Sequence, residues 1–221
     1  GSFMDNNGYP LRIGLSMRVM NPIEYHDPRD ALAHDWYAFM KRALPEAQWV
    51  TLPNIGREIQ EYISHWRING IILTGGNDIG EAVIRDETEF ALIETCLDQA
   101  LPVFGVCRGL QIIQTYLKGR LTPSDPERHV AVTHDVRICN PHLLPADCRV
   151  DILQTNSYHT WSVAESELPD CLRPFALSDE GEVEGFAWSD HPVVAVMWHP
   201  ERYSEYIPFD ITLMRHHFNV E

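Results

Sequence analysis

The chain has 221 residues, and its formal net charge of −15 at pH 7 reflects 32 Asp and Glu residues against 17 Lys and Arg residues. This balance argues against a nucleic acid or an anionic membrane as partner, and any anionic substrate must therefore meet a local group of basic side chains. A hydrophobic content of 44% and a charged content of 22% are typical of a globular protein with one stable core.

The number of cysteines and the hydropathy pattern indicate the cellular compartment to expect. Five cysteines without regular spacing predict reduced thiols and a cytoplasmic protein. No apolar run in the sequence approaches the roughly 20 residues that a membrane helix needs. Gly1 and Ser2, which precede Met4, are interpreted as an expression scar. We therefore expect residues 1–10 to be a tail and residues 11–221 to form a single α/β domain.

The first half of the chain alternates strand and helix patterns. Apolar runs predict strands at 12–17, 48–52, 70–74 and 102–107. Helical spacing of apolar residues predicts helices at 31–40, 55–66, 86–100 and 109–117. This alternation predicts right-handed βαβ crossovers and a parallel sheet.

After Gly119 the pattern changes to short, half-exposed strands, which we predict at 129–139, 149–153, 175–177 and 183–188. An apolar strand begins at Val193, and a closing helix is expected at 210–218. His129, His134 and His142 lack metal-ligand spacing, and the cysteines form no C-x-x-C pair. We therefore expect no metal site, zinc included.

The segment around Cys107 reads V-F-G-V-C-R-G-L-Q. Gly105 and Gly109 flank the cysteine in the G-x-nucleophile-x-G pattern of a sharp strand-to-helix turn. Glycines at these places avoid the Cβ atoms that would collide with the adjoining strand, and a cysteine at a helix N-terminus is favoured as thiolate. The alternative is a buried structural cysteine, which would need neither glycine.

A partner for the thiol is predicted near the C-terminus, where the sequence reads M-W-H-P-E. His199 follows the strand that begins at Val193 and can accept the thiol proton and later return a proton to a leaving group. Pro200 makes a turn that would bring Glu201 back to the imidazole, where a carboxylate orients the ring. The sequence therefore predicts a Cys107–His199–Glu201 triad.

These two motifs resemble the nucleophile and His-Glu signatures of class I glutamine amidotransferases, and more narrowly those of the gamma-glutamyl hydrolase branch, peptidase family C26. The segment T-G-G-N-D-I at 74–79 resembles the oxyanion loop of that family, and N-S-Y-H at 156–159 resembles its substrate-contacting turn. The resemblance implies a flavodoxin-like three-layer α/β fold with a mostly parallel central sheet, a nucleophile elbow and an antiparallel flank. It implies no cofactor.

The implied reaction is hydrolysis of a gamma-glutamyl amide through a thioester on Cys107, which releases glutamate and an amine. In the family pattern, the backbone N–H groups of Gly76 and Arg108 bind the oxyanion. The resemblance assigns contacts with the glutamyl group to a further set of residues: Gly75, Gln111, Asn156, Ser157, Tyr158 and His159.

The identity of the leaving amine stays open: the substrate can be gamma-glutamyl-GABA or a gamma-glutamyl-CDP-amidate. The segments 16–18 and 28–36 resemble gamma-glutamyl-CDP-amidate hydrolases of capsule phosphoramidate biosynthesis. Arg18, after the first strand, and Arg29, before the first helix, are candidate contacts for an anion. The alternative for each is an ordinary surface arginine.

Two other functions compete with a gamma-glutamyl hydrolase. A glutaminase subunit could supply ammonia to a separate synthetase; the absence of a following synthetase domain favours a free-standing hydrolase. A redox sensor or chaperone-like protein on a related fold could also display an elbow cysteine, but it would not need His-Pro-Glu after its last core strand. The oligomeric state is left open, a homodimer included.

Overall fold

The computed structural model describes residues 4, 5 and 7–221 of the chain. Gly1 and Ser2, interpreted above as a scar, lie outside the described residues. Within the expected tail, Met4 and Pro10 form an isolated antiparallel bridge, and Asp5 accepts a hydrogen bond of 2.9 Å from the Asn69 amide. Across the described part of the chain, no helix combines the length and the apolar character required to cross a membrane.

Strands and helices alternate up to residue 116, after which strands dominate. The strands are β1 Arg12–Ser16, β2 Arg18–Met20, β3 Arg29–Ala31, β4 Gln48–Leu52, β5 Gly70–Leu73, β6 Val103–Val106, β7 Thr122–Pro123, β8 Val130–Ile138, β9 Ile152–Tyr158, β10 Trp161–Ser162, β11 Leu172–Ser178, β12 Val183–Trp188 and β13 Val193–Val196. The helices are α1 Asp35–Ala43, α2 Ile59–His65, α3 Val83–Gln99, α4 Arg108–Tyr116, α5 Pro126–His129 and α6 Pro208–His217.

The central sheet has nine strands in the order β4-β1-β5-β6-β13-β12-β11-β8-β9. Strands β4, β1, β5, β6 and β13 are parallel to one another, and the strands from β12 to β9 pair antiparallel. The predicted α/β fold, with its parallel core and antiparallel flank, is confirmed. Strand β13 returns from the flank to lie beside β6, so the two predicted catalytic segments follow neighbouring strands.

The inner parallel strands β1, β5, β6 and β13 are mostly buried because helices cover the sheet, whereas the edge strand β4 is half-exposed. Every residue of β5 and β6 is buried. Helix α1 turns Trp36, Phe39, Met40 and Ala43 inward, which is the i, i+3, i+4, i+7 spacing of one helical face. Packing of Trp36 and Phe39 into the core is therefore confirmed.

Three predicted elements differ from the structure. The helix expected at 31–40 begins only at Asp35, because residues 29–31 pair antiparallel with β2. The helix expected at 55–66 opens with a 3-10 turn, Gly56–Glu58, before α2. The strand expected at 149–153 begins at Ile152 and continues to Tyr158, because β9 pairs with β8 along its whole length. Most of the expected turn at 156–159 is therefore strand.

Candidate active site

Cys107 lies at the junction of β6 and α4 with φ 53° and ψ −102°, a strained backbone conformation for a residue with a Cβ. The two glycines permit this tight turn. A Cβ on Gly109 would lie 2.3 Å from the carbonyl oxygen of Leu73, and one on Gly105 would lie 2.8 Å from the carbonyl carbon of Gly109. The elbow geometry expected from the two glycines is present, and it places the thiol at the start of α4.

His199 and Glu201 follow β13, beside the elbow. His199 Nδ1 lies 2.8 Å from Glu201 Oε2, and both side chains are buried. The imidazole also packs on the loop that contains Gly75 and Gly76, called the glycine loop below, since a Cβ on Gly75 would lie only 2.7 Å from His199 Cε1. The structure thus brings Cys107, His199 and Glu201 together.

The charges in this group support a reactive thiol. Burial raises the pKa of the Cys107 thiol, but the charge of His199 and its hydrogen bond to the sulfur outweigh burial and hold that pKa below its usual value. Burial lowers the pKa of His199, yet the opposing charges of Cys107 and Glu201 leave that pKa raised. Both directions favour a thiolate–imidazolium pair, the reactive form of a nucleophilic cysteine.

Two backbone donors lie at the thiol without partners of their own. Gly76 has φ 89°, and Arg108 is the first residue of α4. Within residues 4, 5 and 7–221, no backbone or side-chain acceptor binds the N–H of Gly76 or of Arg108. Both residues line the same cavity as Cys107.

Arg85, which was not predicted from the sequence, holds the glycine loop through hydrogen bonds to its carbonyl oxygens. Its guanidinium is fully buried and donates to the carbonyl oxygens of Thr74 at 2.8 Å and Gly75 at 3.1 Å, and also to that of Gly76. With these carbonyls bound on the protein side, the loop is held so that N–H groups can face the cavity. A signal existed in the sequence: Arg85 and Glu89 occupy the buried face of α3 at i, i+4 spacing.

The Arg108 side chain points away from the cavity. Its guanidinium pairs with the carboxylates of Asp86 and Glu89, all within a buried network between α3 and α4. Burial of such a charge is tolerated because it is paired. Arg108 therefore lines the cavity with its backbone, while its side chain links α4 to α3 and so stabilises the elbow at Cys107.

The cavity above Cys107 has a volume of about 310 Å³ and contains both acidic and basic side chains. Arg18 lines it and packs on Gly76, where a Cβ would lie 3.0 Å from the guanidinium. Arg202, also missed by the sequence reasoning, lines it as well and lies over the Tyr158 ring at 4.9 Å. Its position directly after Glu201 was the available signal.

The predicted glutamyl contacts divide into two groups. Gln111, Tyr158 and His159 line the cavity, and the Gln111 amide donates to the carbonyl oxygen of Trp161 at 3.2 Å. The side chains of Asn156 and Ser157 are instead bound to backbone in the cavity wall, so their expected role as substrate contacts is corrected. Asn156 exchanges hydrogen bonds of 2.8 and 2.9 Å with the backbone of His199 and thereby positions it.

Ser157 and Arg29 have ordinary structural partners. The Ser157 hydroxyl donates to the carbonyl oxygen of His129 at 2.8 Å. Arg29, expected beside the substrate, lies in β3 with 61% of its side chain exposed, and it pairs with Asp27 at 2.7 Å. It does not line the cavity because the β2–β3 hairpin carries it outward, so that expectation is wrong, whereas Arg18 remains at the site.

Comparison with known proteins shows the family of the chain. The family model of peptidase C26 matches residues 13–201. The chain is 29% identical over 197 residues to the gamma-glutamyl-CDP-amidate hydrolase of Campylobacter jejuni, covering 86% of this chain and 90% of the relative. It is 29% identical to a glutamine-hydrolyzing GMP synthase component of Methanococcus vannielii, over 65% of this chain and 69% of that protein.

Among solved structures, the glutaminase domain of Trypanosoma brucei CTPS shares the fold. The TM-score is 0.68 at 17% identity, and the match covers 96% of this chain and 95% of that one. At this identity the likeness bears on the fold alone.

Proposed function

The chain belongs to the peptidase C26 family, and we propose that it hydrolyses the gamma-glutamyl amide bond of a small conjugate to release glutamate and an amine. One observation carries this proposal. A buried thiol, imidazole and carboxylate lie side by side, next to two backbone N–H groups that the described residues leave without acceptors. This is the constellation that acyl transfer through a thioester requires.

In the proposed reaction, Cys107 Sγ attacks the side-chain carbonyl carbon of the glutamyl group. The carbonyl electron pair moves to oxygen, where the N–H groups of Gly76 and Arg108 stabilise the oxyanion. As the C–N bond breaks, His199 gives its proton to the leaving nitrogen, and a thioester remains on the sulfur. His199 then takes a proton from water, the oxygen attacks the thioester carbonyl carbon, and the C–S bond breaks, which frees glutamate and restores the thiolate–imidazolium pair.

We further propose that the amine carries negative charge, as a nucleotide amidate does. Arg18 and Arg202 both line the cavity, and an arginine pairs with phosphate through two parallel hydrogen bonds. The similarity to the Campylobacter jejuni gamma-glutamyl-CDP-amidate hydrolase extends over 86% of this chain, which favours this class over a GABA conjugate.

A glutaminase subunit of an amidotransferase is the second candidate. It is favoured by the similarity to the glutamine-hydrolyzing GMP synthase component of Methanococcus vannielii. The same triad chemistry would then act on glutamine and release ammonia. The two candidates differ in the preferred substrate, which an assay can measure directly.

The thiol chemistry proposed for Cys107 requires a reduced sulfur. All five cysteines of the described chain are free. Free thiols, one of them reactive, support a reducing compartment, and we include the cytoplasm in the proposal.

The deciding experiment is a hydrolysis screen with product identification by mass spectrometry. It compares kcat/KM for glutamine, gamma-glutamyl-GABA and gamma-glutamyl-CDP-amidate in the wild type, in Cys107→Ala and in the matched control Cys171→Ala. We expect a conjugate to exceed glutamine, no turnover in Cys107→Ala and normal turnover in Cys171→Ala. Glutamine as the best substrate would favour the glutaminase role, and equal losses in both variants would contradict the thioester mechanism.

A further inference from the structure

Three imidazoles converge on one buried carboxylate oxygen behind the wall of the cavity. Glu184 Oε1, on β12, lies 3.5 Å from His134 Nε2, 3.7 Å from His159 Nε2 and 3.9 Å from His129 Nδ1. His129 ends α5, His134 lies on β8, and His159 follows β9. The four side chains therefore come from separate elements of the antiparallel flank and meet at one point.

These atoms are buried and have no hydrogen-bond partner among the described residues. This holds for Glu184 Oε1, for the Nε2 atoms of His134 and His159, and for Nδ1 of His129. His129 is 0% exposed and Glu184 is 1% exposed. Buried polar atoms without partners are costly, and several of them around one point indicate a missing ligand.

Contacts on the far side of the His159 and His129 rings determine which ring nitrogen of each faces Glu184 Oε1 with its lone pair. His159 Nδ1 lies 3.0 Å from the carbonyl oxygen of Trp161, which can only accept, so Nδ1 carries the proton and the lone pair of a neutral ring lies on Nε2. His129 Nε2 lies 3.2 Å from a Glu182 oxygen and 3.3 Å from a Glu180 oxygen. Metal-binding histidines characteristically place their second nitrogen against a carboxylate or a carbonyl in this way.

We propose that His129 Nδ1, His134 Nε2 and Glu184 Oε1 bind one divalent transition-metal ion of the zinc type. Tetrahedral zinc with bonds of about 2.0–2.2 Å separates its ligand atoms by about 3.3–3.6 Å. Glu184 Oε1 lies 3.5 Å from His134 Nε2 and 3.9 Å from His129 Nδ1, within a few tenths of an ångström of that range. Ligand atoms of His129, His134 and Glu184 also all lie within 4.8 Å of one another.

These three ligands leave a fourth tetrahedral position for water, and we assign the ion a structural role because its ligands lie behind the cavity wall, apart from the triad. It ties α5, β8 and β12 together next to His159, which lines the substrate cavity and whose Nε2 lies 3.7 Å from Glu184 Oε1. The site is separate from the triad and does not depend on the proposed hydrolysis. Of the three histidines expected to be dispersed, His129 and His134 lie together and His142 lies apart. Spacing along the chain does not reveal this because each residue comes from a different element.

The test uses the full chain in a Cys107→Ala background, so that zinc on the reactive thiol is not counted. Chelator-treated protein is titrated with Zn²⁺ alone, desalted and measured by elemental analysis, and Co²⁺ is added in parallel for its visible spectrum. We expect one Zn²⁺ per chain, tetrahedral cobalt absorption, and a rise in Tm of about 5–10 °C at a concentration 100 times Kd.

Three variants separate the proposed site from other zinc binding. His134→Asn and Glu184→Gln should weaken Zn²⁺ binding at least about 100-fold, since loss of an outer-shell partner alone costs about 10- to 100-fold. His142→Asn is the matched control, because His142 is exposed and lies outside the cluster, and it should bind as the parent does. Glu182→Gln, a partly exposed outer-shell change, should weaken binding about 10- to 100-fold and gives a second test should a ligand variant not fold.

Absence of stoichiometric zinc in the parent protein would overturn the proposal and leave a cluster held by protons. Equal affinity in the parent and in folded ligand variants would also overturn it, because the zinc would then be bound elsewhere. If only Glu182→Gln folds, parent-like affinity in that variant would count against the site.

Discussion

Replacing His199 with Asn tests the charge pairing on which a Cys107 thiolate depends. Burial alone raises the pKa of a thiol, because the thiolate loses its hydration; in this chain it raises the pKa of Cys96 to about 12. Cys107 is also buried, yet His199 holds its pKa below the usual value of 9.0. Without the imidazole, burial dominates, and we expect the pKa of Cys107 to approach that of Cys96.

The size of the effect follows from these two values. A rise in the pKa of Cys107 from below 9 to about 12 reduces the thiolate fraction at pH 7 by about 1,000-fold or more. The remaining thiolate becomes about 15- to 30-fold more nucleophilic, given a Brønsted coefficient of about 0.4–0.5. The reaction of Cys107 with a small disulfide reagent should therefore slow by about 30- to 70-fold.

The assay follows modification of Cys107 by mass spectrometry from pH 5 to pH 10. In the wild type we expect the rate to level off below pH 9, whereas in His199→Asn it should keep rising through pH 9. Glu201→Gln keeps the imidazole and should shift the profile less. Superimposable profiles of the wild type and folded His199→Asn would refute the thiolate–imidazolium pair.

Two further substitutions test other parts of the structure. Arg18→Ala should lower kcat/KM for gamma-glutamyl-CDP-amidate by about 10- to 150-fold, because a lost charged hydrogen bond costs about 1.5–3 kcal/mol. Arg29→Ala is the control, since Arg29 is exposed. Equal losses in both variants would remove Arg18 from the substrate site. Burial raises the pKa of Asp210 to about 7, although the hydrogen bond from Trp198 opposes that rise. Between pH 4 and pH 7, roughly, the folded state therefore binds more protons than the unfolded state, and the free energy of unfolding falls as the pH rises. Asp210→Asn should therefore be more stable than the wild type above pH 7, by up to about 4 kcal/mol, in denaturant titrations at pH 5 and pH 8, and no difference between the two pH values would contradict this.

The parallel core could be predicted because its strands carry their own signals. Buried strands such as β5 and β6 are continuous apolar runs, and the helices between them have helical spacing. The start of α1 was predicted wrongly because Ala31 and Leu32 extend the apolar pattern of the helix upstream. Pairing of β2 with β3 overrides that local preference, and such pairing is invisible in a single stretch of sequence.

The candidate triad could be predicted for a similar reason, since each member lies in a local motif with a distinctive residue type. Arg85 and Arg202 have only weak sequence signals, an i, i+4 carboxylate and a place next to Glu201, because their contacts are made only after folding. Asn156 shows the limit of a motif. The segment marks the neighbourhood of the site, but whether the side chain faces substrate or backbone depends on strand pairing, and here it faces the backbone of His199.

The contacts of His199 show why the antiparallel flank matters to the chemistry. On one side, β13 pairs with β6 in parallel register, and the Cys107 N–H donates to the carbonyl oxygen of Val196 at 2.8 Å, which sets Cys107 beside the strand that precedes His199. On the other side, Asn156 on β9 binds both the N–H and the carbonyl oxygen of His199. The imidazole is therefore positioned by the core and by the edge strand together. A displacement of about 1 Å can cost a catalytic group about 100-fold in rate, so in the proposed hydrolysis the flank acts by holding this one backbone in place.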